Sequence, residues 1–339
     1  MSRPALTVWC LSDGKPGHFN QSKGLLQALA LGYEVNLHWI DCSLQAKPLR
    51  PLLRKLLNAG VGQRLLPALH RFNRPAETPD LIISSGGNTA YLNIALAQQY
   101  GCQNLFIGSL RGLKPSLFTT VLTIEPIGAD NNLVMPLAPV PSDRDTQAEA
   151  ARQLRAEQQL GDAQPLWTLL IGGATDEYAY QAADWQALAG ELNRLARQHS
   201  IRWLITSSRR TGIEVEQQLA AALAPELLAD TTWYGQQPRK VMAAYLGAAE
   251  AVFCTEDSLS MLTEAIASGK PVVALQPAQM QPAARYEAAL ERLEQRQWLS
   301  RQPVTQLALP PATDHSVPAP AEALWQQLQT DSPLRPEQA

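Results

Sequence analysis

Five loops concentrate glycine, hydroxyl and ionisable residues where an apolar run gives way to a helical pattern. The first reads Ser12-Asp13-Gly14-Lys15-Pro16-Gly17-His18-Phe19-Asn20. Its glycines and proline make a tight turn, and Lys15, His18 and Asn20 supply polar groups on one rim. An imidazole titrates near pH 6.5 when unperturbed, so His18 suits a general base at neutral pH, with Asp13 a competing base. Ser84-Ser85-Gly86-Gly87-Asn88, Gly172-Gly173-Ala174-Thr175 and Thr206-Ser207-Ser208-Arg209-Arg210-Thr211 follow the same plan. Glycine and hydroxyl residues at a helix start expose N–H groups to phosphate oxygens, and Ser208 and the fork of Arg209 extend that set of donors. Each loop alone also reads as an ordinary strand-to-helix turn, but four in corresponding places point to a phosphorylated ligand.

The fifth loop, Thr255-Glu256-Asp257-Ser258-Leu259-Ser260-Met261, is the most informative. Asp257 or Ser258 caps a helix there, leaving first-turn N–H groups to meet a diphosphate beside Ser260. Glu264 falls about two turns along, near the helical face of Ser260 and Met261, where a carboxylate can accept both hydroxyls of a ribose. No loop carries GxGxxG, which argues against a nicotinamide dehydrogenase.

Such loops require strands that end together. Residues 6–11, 34–40, 80–84, 104–107 and 119–124 read as buried strands, alternating with helices over 21–30, 51–57 and 89–99. After a Pro-rich connection at 137–145 the alternation restarts, with strands at 166–171, 201–206, 232–234, 251–254 and 271–275 and helices at 184–198, 213–224, 240–246, 258–268 and 283–295. Strands alternating with helices imply βαβ units and parallel sheets. The expected organisation is a Rossmann-like domain over 1–145, a second over 146–305 and a Pro/Gln-rich, partly packed tail over 306–339.

A length of 339 residues accommodates two domains, and a net charge of −3 with 45% hydrophobic residues excludes a disordered chain. Cys10, Cys42, Cys102 and Cys254 are scattered, without the spacing of a disulfide framework or a zinc site. No apolar run approaches the ~20 residues needed to span a bilayer, and no signal-peptide pattern opens the sequence, so a cytoplasmic protein is expected. Charge is divided unevenly, at +3 over residues 1–150 and −6 over 151–339. No acid lies between Asp41 and Glu77, where Lys47, Arg50, Arg54, Lys55, Arg64, Arg71 and Arg74 interleave with leucines. That mixture suits either a solvated helix face or contact of Arg50, Arg54, Lys55 and Arg64 with an anionic membrane. Nothing suggests a nucleic-acid partner.

Residues 255–271 resemble the donor-nucleotide motif of GT-B glycosyltransferases. With 11–18 and 206–211 they look like the ELM-type mitochondrial fission family, whose bacterial members are regarded as glycosyltransferases. The resemblance covers roughly residues 7–276 and implies an α/β GT-B fold, two Rossmann-like doubly wound domains facing across a cleft. It implies a nucleotide sugar held by Ser258, Ser260, Glu264 and Arg209, to which the loop readings add Asp257, Ser208, Gly172 and Gly173. His18 falls where such enzymes place a general base or a donor-contacting group, although Asp13 interrupts the usual glycines; the loop readings put Lys15, Asn20, Gly86, Gly87 and Asn88 at the acceptor or in the cleft.

The expected reaction is sugar transfer from a nucleotide diphosphate sugar to an acceptor hydroxyl, on a lipid-linked or cell-envelope glycan. Arg209 and the helix start at Ser258 would stabilise the departing diphosphate, so no metal and no cofactor is expected. The DxD-like string Asp143-Arg144-Asp145 reads as a solvated linker. A nucleotide-sugar epimerase on the same fold and a nonenzymatic membrane-associated adaptor are the rival readings. His38, His70, His199 and His315 read as structural or solvated, and Trp167, Trp203 and Trp233 as core.

Overall fold

A computed structural model describes residues 3–45, 47–61, 63–141, 144–309 and 320–331, and for Pro16, Lys47, Gln63, Arg64, Leu65 and Asp331 the backbone only. Asp143 and His315 lie outside the described residues. The chain divides into two compact units, Met1–Pro141 with Pro318–Ala339 (unit 1) and Ser142–Val317 (unit 2).

Unit 1 runs β1 (Ala5–Ser12), α1 (Pro16–Leu29), β2 (Glu34–Asp41), β3 (Ser43–Leu44), α2 (Arg50–Asn58), β4 (His70–Arg71), β5 (Leu81–Ser85), α3 (Ala90–Tyr100), β6 (Gln103–Ile107), β7 (Thr120–Thr123) and β8 (Asn132–Val134). Its main sheet has the order β2-β1-β5-β6-β7-β8 with every pairing parallel, while β3 and β4 form a separate antiparallel pair. Side chains alternate across a strand, which explains why β1 is apolar at successive positions. Val8 and Cys10 join Leu25 and Leu29 of α1 on one face, and Trp9 and Leu11 join Leu92 and Leu96 of α3 on the other.

Unit 2 runs α4 (Arg144–Glu157), β9 (Leu166–Leu170), α5 (Ala182–His199), β10 (Arg202–Thr206), α6 (Ile213–Ala222), β11 (Leu228–Thr232), α7 (Met242–Ala248), β12 (Ala251–Thr255), α8 (Leu259–Ala267), β13 (Val272–Gln276), α9 (Ala284–Gln295) and β14 (Ser300–Pro303). Its sheet, β11-β10-β9-β12-β13-β14, is also parallel throughout. Trp167 and Trp203 are buried in this core, with Phe253 stacked 5.6 Å from Trp167; Trp233 packs against it partly buried. The last helix, α10 (Pro320–Asp331), returns to unit 1. There Leu324 and Leu328 enter the α1-side core, and Trp325 meets Tyr33 edge-on at 5.8 Å, over a position where a Cβ on Gly32 would overlap its indole.

The sheet margins depart from the expected strands. β11 occupies residues 228–232, not 232–234, and β8 and β14 carry no strand signal in the sequence. The margin strand β14 reads Ser-Arg-Gln-Pro and β11 Leu-Ala-Asp-Thr-Thr, because strands at a margin are covered less and need no continuous apolar run. The helix expected from residue 21 begins at Pro16, whose fixed φ suits a first helical position, so His18 and Asn20 lie on α1 and not in the preceding loop.

One buried charge ties the margin of unit 2 to its centre. Glu256, just after β12, has no exposure; Arg301 of β14 donates from Nε to its Oε2 at 2.8 Å and from Nη2 to its Oε1 at 2.6 Å. Nη1 of the same guanidinium reaches Glu287 of α9 at 2.5 Å, and the Tyr178 hydroxyl donates to Glu256 at 3.1 Å. Removing one partner of a buried pair leaves a charge without compensation. Arg301→Ala is therefore expected to destabilise unit 2 by about 3–5 kcal/mol in urea unfolding. The double change Glu256→Gln with Arg301→Met should cost clearly less, and equal costs would show that the charge pairing is not what matters.

Candidate functional site

In an open parallel sheet, ligands bind beyond the carboxyl ends of the strands where successive crossovers part to opposite sides. In unit 1 that point lies between β1 and β5, and in unit 2 between β9 and β12. The five loops singled out in the sequence follow β1, β5, β9, β10 and β12.

After β1, Asp13 is almost enclosed, its side chain 5% exposed, and its Oδ1 lies 2.9 Å from His18 Nδ1. Asn88, from the loop after β5, donates to Asp13 Oδ2 at 3.1 Å, and Arg50 of α2 donates to Asn88 Oδ1 at 2.7 Å. Burial by itself would raise the Asp13 carboxyl, but the hydrogen bond and charge of His18, with help from Asn88 and the Lys15 N–H, outweigh it and hold it below the usual range. Gly86 has φ +83°, and a Cβ there would overlap the imidazole, so the turn after β5 must be glycine for His18 to sit against it. The Lys15 ammonium is well exposed, 3.9 Å from Asp13, and Asn20 is half-buried on α1.

After β9, the Gly172 N–H donates to the Thr255 hydroxyl at 2.7 Å, and a Cβ on Gly172 would strike the Asp257 carboxylate. A Cβ on Gly173 would meet the backbone of Arg210 and Thr211. The two glycines thus let the loops after β9, β10 and β12 close on one another. The Ser208 hydroxyl and Thr211 Oγ1, the latter at 3.0 Å, donate to the Gly172 carbonyl. Arg210 Nη2 lies 2.6 Å from Asp257, whose side chain has no exposure. Burial pushes the Asp257 carboxyl up, against the opposing pull of the Thr255 hydroxyl and Arg210.

Ser258 is the N-cap residue of α8 but makes no capping hydrogen bond; its hydroxyl lies 3.4 Å from that of Ser260. The first turn of α8 is left without a side-chain cap. Ser260, Met261 and Glu264 share the less buried face of this helix. The loop itself is anchored by Glu256, whose backbone N–H donates to the Tyr180 hydroxyl at 3.1 Å and whose carbonyl accepts from Tyr286 at 2.7 Å.

The structure therefore brings together Asp13, His18, Gly86 and Asn88 in unit 1, and Gly172, Gly173, Ser208 and Asp257 in unit 2. Arg209 is exposed on its loop, and it is Arg210 that reaches Asp257. Two adjacent arginines in a turn carry no sequence signal to separate them. Of the basic residues expected at a membrane, Arg50 donates to Asn88, and Arg54 Nη1 donates to the Arg111 carbonyl at 3.1 Å. Lys55 is exposed, as are Leu49, Leu52 and Val61. Sequence reasoning also passed over Glu256, Arg301 and Arg111. Among the described residues, no group of three or more His, Cys, Asp and Glu side chains is placed to hold a metal ion, and no helix is long and apolar enough to cross a membrane. His70 is buried with Nδ1 2.8 Å from the Leu66 carbonyl, His38 pairs with Glu77 and His199 lies against Trp167.

A family model described as mitochondrial fission ELM1 matches residues 16–316. No curated protein matches the chain. Among solved structures, UDP-GlcNAc 2-epimerase from Neisseria meningitidis bound to UDP-GlcNAc is similar at 12% identity and TM-score 0.50, covering 96% of this chain and 91% of its own. The MnaA–UDP co-structure from S. aureus is similar at 11% identity and TM-score 0.50, covering 96% and 88%. E. coli ADP-heptose LPS heptosyltransferase II aligns at 13% identity and TM-score 0.48, covering 96% and 98%. The fold class is GT-B, built from two Rossmann-like units.

Two outcomes follow from the unit 1 geometry. Because Asp13 titrates below its unfolded value of about 3.9, it stabilises the fold above that value and the contribution is lost as pH falls through the lower, folded one. Acid unfolding of Asp13→Asn should accordingly be less steep below about pH 4 than that of the wild type. Gly86→Ala should displace the imidazole, read as a shifted His18 ring resonance in a folded protein; an unmoved resonance would contradict the packing described.

Proposed function

The chain belongs to the mitochondrial fission ELM1 family, and from the residues gathered at its two switch points we propose that it transfers a sugar from a nucleotide diphosphate sugar to an acceptor hydroxyl. The observation that carries this reading is the 2.9 Å pairing of Asp13 with His18 Nδ1. A carboxylate on Nδ1 favours the tautomer with its proton there and leaves Nε2 as the acceptor for a substrate proton. Asp13, nearly enclosed and occupied by His18 and Asn88, then acts as the orienting group and His18 as the base.

Unit 2 would hold the donor. Glu264 would accept the ribose hydroxyls, and the uncapped start of α8 at Ser258 and Ser260, with Arg210, Arg209 and Ser208, would receive the diphosphate. In the reaction, His18 takes the acceptor proton, the acceptor oxygen bonds to the anomeric carbon, and the carbon–oxygen bond to the diphosphate breaks. The negative charge of the leaving group is met by guanidinium and backbone N–H groups, so the reading requires no divalent ion. The exposed Leu49, Leu52 and Val61 beside Lys55 support an acceptor presented at an anionic membrane surface.

Thermal unfolding in the presence of a panel of nucleotides and nucleotide sugars tests the donor half, since a ligand that binds only the folded state raises its melting temperature. UDP, GDP or ADP, or one of their sugars, should stabilise the wild type and not Glu264→Ala; failure of every ligand would overturn the donor site. His18→Ala should keep the nucleotide-induced shift while transfer falls by about 10²–10⁴-fold. Formation of an epimerised nucleotide sugar without any acceptor would instead favour the epimerase. Salt-sensitive flotation with anionic vesicles that is weakened by Leu52→Glu and Lys55→Glu tests the membrane surface.

A further inference from the structure

Unit 1 carries a group of arginines that the proposed chemistry does not use. Arg50 and Arg54 stand one turn apart on α2, facing the loops after β5 and β6. Arg54 reaches the Arg111 carbonyl, while Asn58 fixes the same helix by donating to the Gly112 carbonyl at 2.8 Å and accepting from the Lys114 N–H at 2.9 Å. Arg111 itself has φ +49°, a left-handed conformation unusual for a residue with a side chain. In that conformation its stem lies over Gly87, where a Cβ would come within 2.9 Å of Arg111 Cδ. Arg50 and Arg111 thus flank the turn that opens α3, and Arg54 adjoins them against the Arg111–Gly112 backbone.

None of the three pairs with a carboxylate among the described residues. The Asp13 carboxylate is occupied by His18 and Asn88. The reason lies in the sequence, which has no Asp or Glu between residues 41 and 77 or between 80 and 125. Arg50 Nε is buried without an acceptor, a state that is unfavourable for a charged donor. Thr89, the N-cap residue of α3, turns its hydroxyl back to the Ser85 and Gly86 carbonyls and makes no cap hydrogen bond, so the first turn of this 11-residue helix has no side-chain acceptor. The Arg111 side chain held by a left-handed backbone, an unmet donor on Arg50 and an uncapped helix start converge on one turn, and an oxyanion there would take up the donors all of them offer.

We propose that Arg50, Arg54 and Arg111, with the Gly86–Gly87–Asn88 turn, form a subsite for a phosphate or carboxylate group of the acceptor. Asn88 links this subsite to Asp13 and hence to His18, so the bound oxyanion would fix the acceptor beside the base. The inference rests on the reading that unit 1 receives the acceptor, but anion binding can be measured without any transfer.

The experiment titrates the full chain, selectively labelled at arginine, with inorganic phosphate and separately with malonate, following the Nε–H resonances of Arg50 and Arg111 by NMR. Both resonances should move with millimolar midpoints. A response to phosphate alone identifies a phosphoester, and a response to malonate alone identifies a carboxylate. Arg111→Gly removes the guanidinium and relieves the left-handed strain, so it should melt no lower than the wild type yet weaken the response of Arg50 by about tenfold or more. Arg210→Met, in unit 2, should leave that response unchanged. No movement with either anion, or a midpoint indifferent to Arg111→Gly, overturns the subsite. If transfer is found, full activity of Arg111→Gly on an anionic acceptor overturns the subsite while leaving the transferase reading intact; Arg111-dependent anion binding without transfer does the reverse.

Discussion

A carboxylate that cannot reach water governs the architecture of unit 2. Glu256 sits where β12 releases the chain toward α8, and an unpaired charge at that depth would be prohibitive. Arg301 compensates it from β14 and is itself shared with Glu287 of α9, while Tyr178 adds a hydroxyl. The loop bearing Asp257 and Ser258 is thereby fastened to the far margin of the sheet and to a helix outside the site. Loops usually carry function because they vary, yet they act only when a scaffold fixes them. Here the fixing element is electrostatic, and Gly172 and Gly173 allow the neighbouring loops to close against it.

Unit 1 solves the corresponding problem differently. Its switch point also centres on an acid, but Asp13 is held by an imidazole and an amide, and the nearest guanidinium is reached through Asn88. The arrangement remains open at the Arg50 end. The two halves of one chain, built on the same alternation of strand and helix, thus display one site whose acid is answered internally and one whose bases are not. Shared fold does not decide chemistry, and the distinction lies in these few side chains.

The sequence made the central strands legible because burial on both faces demands an uninterrupted apolar run, as in Leu-Ile-Ile before Ser84 and Val-Phe-Cys before Thr255. Margins escaped that logic, and β14 reads as polar loop although it carries the arginine on which the centre depends. The loops were found by residue type, since glycine, serine and asparagine before a helix have a physical meaning of their own. Partners were not. Glu256 and Arg301 are 45 positions apart, and only the crossover that lays β14 beside β13 makes them neighbours. Likewise Arg50 read as one member of a basic run, when its orientation depends on where α2 docks against the loops after β5 and β6.

The return of α10 to unit 1 means that unit 2 is spelled out entirely between two parts of the other. Leu324 and Leu328 complete a core begun by Val8 and Leu25. A ribosome must therefore deliver all of unit 2 before unit 1 can close its α1-side core. During that interval the apolar surface around Gly32 and Tyr33 lacks the cover that Trp325 later supplies.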